Sequence, residues 1–112
     1  MNRNWPSEWL RGVLIFCVLQ TLEGAPTYGY AIASALKTSG IGEVKGGTLY
    51  PLLSRLEDAG HVTTYWAEGN GGPGRKYFAL TDEGRRALAS YRIQWEAFKG
   101  TVDQHLNAAE VE

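Results

Sequence analysis

Leu10, Val13, Leu14, Cys17 and Val18 recur three and four residues apart, the spacing that lines one face of an α-helix. With Ser7 as its cap, the pattern predicts a first helix over residues 8–22, closed by Glu23-Gly24-Ala25-Pro26. Ile15, Phe16 and Leu19 carry the apolar surface round to a second side, more than one small domain covers by itself, and so predict a partner there. Gly29, Ile32, Ala33 and Leu36 define a second helix, capped by Thr27 and running to about Thr38 before Ser39-Gly40-Ile41-Gly42 breaks it. Leu49, Leu52, Leu53 and Leu56, at i, i+3, i+4 and i+7, predict a third over residues 47–59, with Gly60 placed to end it. Its other face carries Tyr50, Ser54, Arg55 and Asp58.

The period then changes to two. Val62, Thr64 and Trp66 oppose Thr63, Tyr65 and Ala67, giving a strand over residues 62–68, and residues 75–80 answer as its return. Gly69-Asn70-Gly71-Gly72-Pro73-Gly74 forms the hairpin tip. Thr81 caps a long last helix, with Asp82 and Glu83 placed against the positive end of its dipole. In it Leu88, Tyr91, Trp95, Phe98 and Val102 continue the three-and-four spacing through His105, Leu106 and Ala109, which is a heptad seam. A helix with no further chain to cover it buries such a seam only against a second subunit, beside the extra face of the first helix. The architecture is mainly α with a β-hairpin wing (α+β). It is a winged helix-turn-helix over residues 1–81 followed by a C-terminal dimerisation helix over 82–112, one compact domain with loose ends at the first residues and at Glu110-Val111-Glu112.

At 112 residues the chain has room for one core, and a domain of this size gains from a partner subunit. A net charge of −1 gives no general attraction to nucleic acid, so any DNA contact must come from local basic groups. Those groups stand where a winged helix would need them: Lys45 before the third helix, Arg55 on it, Arg75 and Lys76 on the return strand. Tyr50, Ser54 and Arg55 can bond phosphates and base edges, although any amphipathic helix turned to water shows the same periodicity. The apolar run 13–19 is too short to cross a bilayer, and no signal peptide starts the chain, so the expected location is the cytoplasm.

Other signals fall away. Gly69, Gly71 and Gly74 spell a dinucleotide fingerprint, but a strand follows where a helix is required. Residues 42–48 lack the P-loop lysine. His61 and His105 have no metal-spaced partners, Cys17 in its apolar stripe reads as a structural thiol, and no catalytic constellation or cofactor site emerges. The chain is expected not to be an enzyme.

The string Gly47-Thr48-Leu49-Tyr50-Pro51-Leu52-Leu53-Ser54-Arg55-Leu56-Glu57-Asp58-Ala59-Gly60 resembles the reading-helix signature of PadR-family regulators. Tyr28-Gly29-Tyr30-Ala31-Ile32 is similar to that family's second-helix motif, and residues 75–84 to its wing return and final-helix start. The likeness covers about residues 10–88, and the short last helix resembles the small subfamily. It implies a homodimeric regulator, usually a repressor, that holds palindromic double-stranded DNA through Tyr28, Tyr30, Lys45, Thr48, Tyr50, Ser54, Arg55, Arg75 and Lys76. Where the family has a capping Ser or Asn and then Pro before the reading helix, Lys45 and Gly46 stand here, which predicts a looser first turn. The alternative on the same fold is a module that binds another protein through this face.

Trp95 is either an ordinary knob in the seam or, at the position where the subfamily's multidrug-responsive member has a pore-lining tryptophan, one wall of an aromatic slot. In the second reading Phe16 and Gln20 line the slot and Arg92 and Lys99, on the face of Trp95, make its mouth cationic. The expected effector is then planar, aromatic, and neutral or anionic. Solvated flanking charges are the other reading of Arg92 and Lys99.

Overall fold

A computed structural model of the chain describes residues 5–68 and 72–108. The acidic tail, Ala109 of the seam and residues 69–71 of the hairpin tip lie outside the described residues.

Helix α1 spans Ser7–Gly24, a turn longer than its apolar stripe suggests. Ser7 does not cap it: Pro6 holds that position, and its carbonyl accepts from the Trp9 and Leu10 amides at 3.0 and 3.2 Å. Because α1 touches a helix or strand on several sides, it buries Leu14, Val18, Leu19 and Leu22. Leu19 therefore belongs to the subunit's own core and not to a second face, while Ile15, Phe16 and Cys17 stay half-buried at its margin. Burial raises the pKa of the Cys17 thiol.

Thr27 and Tyr28 do not start the second helix. They form a short strand β1 (Thr27–Tyr28), and α2 (Gly29–Thr38) follows with Tyr28 at its cap position and no side-chain cap. Helix α2 ends in a Schellman arrangement, in which Gly40 at φ +90° donates to the Lys37 carbonyl and Ile41 donates to that of Leu36. Helix α3 (Gly46–Asp58) ends the same way on Gly60 at φ +80°, and its four leucines 49, 52, 53 and 56 are all buried.

Strands β2 (Val62–Glu68) and β3 (Gly74–Leu80) form the hairpin, with Val62 opposite Leu80 and Glu68 opposite Gly74. β1 adds to the free edge of β3, so the sheet has three strands in the order β1-β3-β2, and not two. Val62, Phe78 and Leu80 face the helices and are buried.

Helix α4 spans Asp82–Leu106, ending near the predicted limit. Thr81 is its cap: Oγ1 accepts from the Gly84 amide at 2.9 Å and donates to the Gly60 carbonyl at 2.7 Å. The Thr81 amide in turn donates to the His61 carbonyl at 3.1 Å. The start of α4 is thus bolted to the turn where α3 becomes β2. Its first turns reach the core through Gly84 and Leu88, Tyr91 packs at the core's margin, and the rest projects, which gives the molecule its 65 Å length.

Candidate nucleic-acid interface

Burying its leucines turns the other face of α3 outward, and Lys45, Thr48, Tyr50, Ser54 and Arg55 are all exposed. The first turn has no side-chain cap. Lys45 occupies the cap position without a side-chain bond, and only its carbonyl closes the turn, accepting from Thr48 and Leu49 at 2.9 Å each. Pro51 inside the helix removes the amide that the Gly47 carbonyl would accept from.

Tyr50 has a second task that its spacing does not reveal. The hydroxyl end of its ring lies against Gly29, so close that a Cβ on that glycine would overlap Oη and stand 2.6 Å from Cζ and 2.7 Å from Cε1. The glycine between Tyr28 and Tyr30 is the seat that lets α2 and α3 approach. Gly29→Ala should therefore keep the fold but swing Tyr50 off α2 and cost about 1–3 kcal/mol in urea unfolding. The same change in a Tyr50→Ala background should cost little, and an equal loss in both backgrounds would show that the clash lies elsewhere.

Tyr28 at the end of β1 and Tyr30 in the first turn of α2, 77% exposed, both line an open trough along α2 of about 510 Å³ with Ser34, Thr38 and Ser39. In the wing, alternation along β3 separates the two cations that sequence placed together. Arg75 shares the outer face with Tyr28, Tyr65 and Tyr77, and its guanidinium carbon lies 4.4 Å from the Tyr28 ring centre. Lys76 lies on the other face opposite Trp66, with Nζ 5.7 Å from the Phe78 ring centre. Sequence reasoning missed Tyr65, Tyr77 and Trp66. Their alternation was visible, but the register that aligns them was not.

At the other end of the molecule, Phe16 of α1 sits between Tyr91 and Trp95 of α4, with ring centres 5.6 and 5.8 Å away. The structure thus brings Phe16 and Trp95 together within one subunit, and Gln20, one turn further along α1, bonds Arg92. It does not leave the cationic mouth free. Arg92 donates to Gln20 Oε1 and, at 2.7 Å, to Glu23 Oε1, while Lys99 lies 3.0 Å from Glu96. Arg92, chiefly through that hydrogen bond, holds the Glu23 carboxyl below its ordinary range. Glu23 is a participant that a face-by-face reading of α4 alone could not find. Along the seam Leu88 is buried and Tyr91 half-buried, but Trp95, Phe98, Val102 and Leu106 are exposed, Phe98 at 62% and Leu106 at 71%.

Three helices, a hairpin whose outer strand is completed by a segment before α2, and an outward third helix define the winged helix-turn-helix class. A model of the transcriptional regulator PadR-like family matches residues 18–90. The chain belongs to that family: it is a PadR-type transcriptional regulator and not an enzyme. Among solved structures it is similar to a PadR-family regulator of Eggerthella lenta, at 38% identity over 89% of this chain and 87% of that one, with a TM-score of 0.81. A Streptococcus mutans protein is 32% identical over 98% and 99% of the two chains, also at 0.81. Bacillus subtilis PadR, solved in complex with operator DNA, is 29% identical over 72% of this chain and 47% of its own, at 0.65. Among the described residues no helix is long and apolar enough to cross a membrane.

Proposed function

We propose that the chain works in the cytoplasm as a homodimeric repressor, holding a palindromic operator through α3 and the wing and releasing it when a planar aromatic ligand enters between α1 and α4. The observation that carries this reading is the bare seam. Trp95, Phe98, Val102 and Leu106 continue the stripe of Leu88 and Tyr91 outward along α4, an apolar rod that only another subunit's rod and α1 can cover. In this division residues 1–81 read DNA and 82–112 pair the subunits. The operator complex of the Bacillus subtilis relative supports a DNA partner here.

The DNA side uses Lys45, Thr48, Ser54 and Arg55 on α3, Tyr30 and Tyr50 where α2 meets α3, and Arg75 and Lys76 on the two faces of the wing, with Tyr28 of β1 packed under Arg75. The ligand side uses Phe16, Gln20 and Trp95, with Arg92 and Lys99 at the rim. Because both cations already hold carboxylates, the favoured ligand is neutral. An anion would have to displace Glu23 or Glu96.

Selection of bound fragments from genomic DNA, followed by a screen for aromatic compounds that release them, tests the whole reading. A repressor enriches a palindrome, and tryptophan fluorescence reports the releasing compound through Trp95. No enrichment at low salt would end it. Arg75→Ala should lower the slope of log affinity against log salt by about one per subunit, hence about two for the dimer, and so should Lys76→Ala. An unchanged slope in both would remove the wing from the interface.

A further inference from the structure

We propose that Tyr28 acts on DNA through Arg75: the wing's outer tyrosines form a platform that holds the guanidinium in its binding posture before DNA arrives. This rests on the DNA-binding reading above and adds a positioning role for a residue otherwise taken as a direct contact.

The register places Tyr28, Tyr77 and Tyr65 side by side on three adjacent strands, all on the face turned away from the core. Tyr65 stacks on Tyr77 with centres 5.6 Å apart and planes 15° from parallel, and Tyr77 meets Tyr28 edge-on at 5.5 Å. Each ring is therefore braced by the next, and Tyr28, at the end of the row, has a face left over. Arg75 comes two residues before Tyr77 on the same face, diagonal to Tyr28, which is within reach of a long side chain across an antiparallel pair. Directly across from it stands Ala67, too small to deflect it. Its guanidinium carbon lies 4.4 Å from the Tyr28 centre, and among the described residues no carboxylate pairs with it.

A guanidinium resting on a ring keeps its N–H donors at the rim of its plane, where phosphate oxygens bind. A salt bridge would occupy those same donors. The ring supplies order without using up the donors, so less side-chain freedom is lost on binding. It follows that the ring face matters and the phenolic hydroxyl does not.

The test uses the full chain and the operator fragment selected above, with four variants. Tyr28→Phe should bind as the unaltered protein does. Tyr28→Leu should weaken binding about two- to fivefold per subunit, hence about five- to thirtyfold for the dimer, the range of two exposed cation–π contacts. In an Arg75→Ala background the same Tyr28→Leu change should have no further effect. In the free protein, the δ-protons of Arg75 should show an upfield ring-current shift in NMR spectra, kept in Tyr28→Phe and lost in Tyr28→Leu. If Tyr28→Phe binds as poorly as Tyr28→Leu, the hydroxyl is a direct contact and the proposal is wrong. Additive losses in the double variant, or an unshifted Arg75 in the unaltered protein, overturn it equally, and neither touches the DNA-binding reading so long as Arg75→Ala still lowers the salt slope. If the unaltered protein binds no duplex, both readings fall together.

Discussion

Phe98→Glu is expected to leave a folded subunit that sediments as a monomer and no longer retains operator DNA. The side chain stands on the projecting half of α4, 62% exposed in the single subunit, so its replacement removes nothing from the core built on Leu14, Val18, Leu53 and Leu88. In a two-fold dimer the change places one carboxylate from each subunit in the seam. Each loses about 1.5–3 kcal/mol of apolar burial and adds the cost of drying a charge without a partner. Together these exceed about 4 kcal/mol, which raises the dimer dissociation constant at least a thousandfold. Half-operators held one at a time bind far more weakly, because the second reading helix no longer arrives already tethered to the first. Sedimentation equilibrium and thermal unfolding check both halves of the expectation. A variant that still pairs would mean that the subunits meet through another surface.

Gly84→Ala should be the most damaging single methyl group in the chain. A Cβ at this position would overlap the His61 carbonyl oxygen and lie 3.0 Å from both the His61 carbonyl carbon and Leu80 Cδ1. Two of these are backbone atoms, held in place by the hydrogen bonds that Thr81 makes to His61 and Gly60. Relief therefore requires separating α4 from the turn after α3, and the cost is expected at about 3 kcal/mol or more, at or beyond the upper end for overpacking. Gly100→Ala in the same helix is the control, since nothing lies within 4 Å of its added methyl. Better helix propensity there should stabilise by about 0.5–1 kcal/mol. Urea unfolding of the two variants should thus move in opposite directions from the parent. If both move together, the packing at His61 is not what Gly84 is for.

These two positions show what the sequence discloses and what it does not. The leucines of α3 and the Thr81 cap were readable because each depends on neighbours within one or two turns, and they appear where the periodicity places them. Thr27 misled, since a small hydroxyl after a proline is a good cap by local rules, yet pairing with Phe78, fifty-one residues later, makes it a strand. Leu19 misled for a related reason: the width of the face that α1 buries depends on how many elements surround it. Arg92 looked like a free cation because its helix was read by itself, whereas the partner of Lys99, Glu96, lies on that same helix and was overlooked. Glu23, which neutralises Arg92, lies on α1 sixty-nine residues away. Residue chemistry was legible throughout, but partnership across the chain was not.

The joint at Thr81 sets a mechanical relation between the two ends of the molecule. A helix of 25 residues is about 37 Å long, and hydrogen bonds to Gly60 and His61 fix its start to the turn between α3 and β2. Because that joint is stiff, a ring that tilts α4 by about 5° about its far end would carry the near end, and the head fixed to it, through about 3 Å, close to the rise of one base pair. In the proposed dimer, a shim the thickness of one aromatic molecule would thereby be enough to put two heads out of step with the grooves they would straddle.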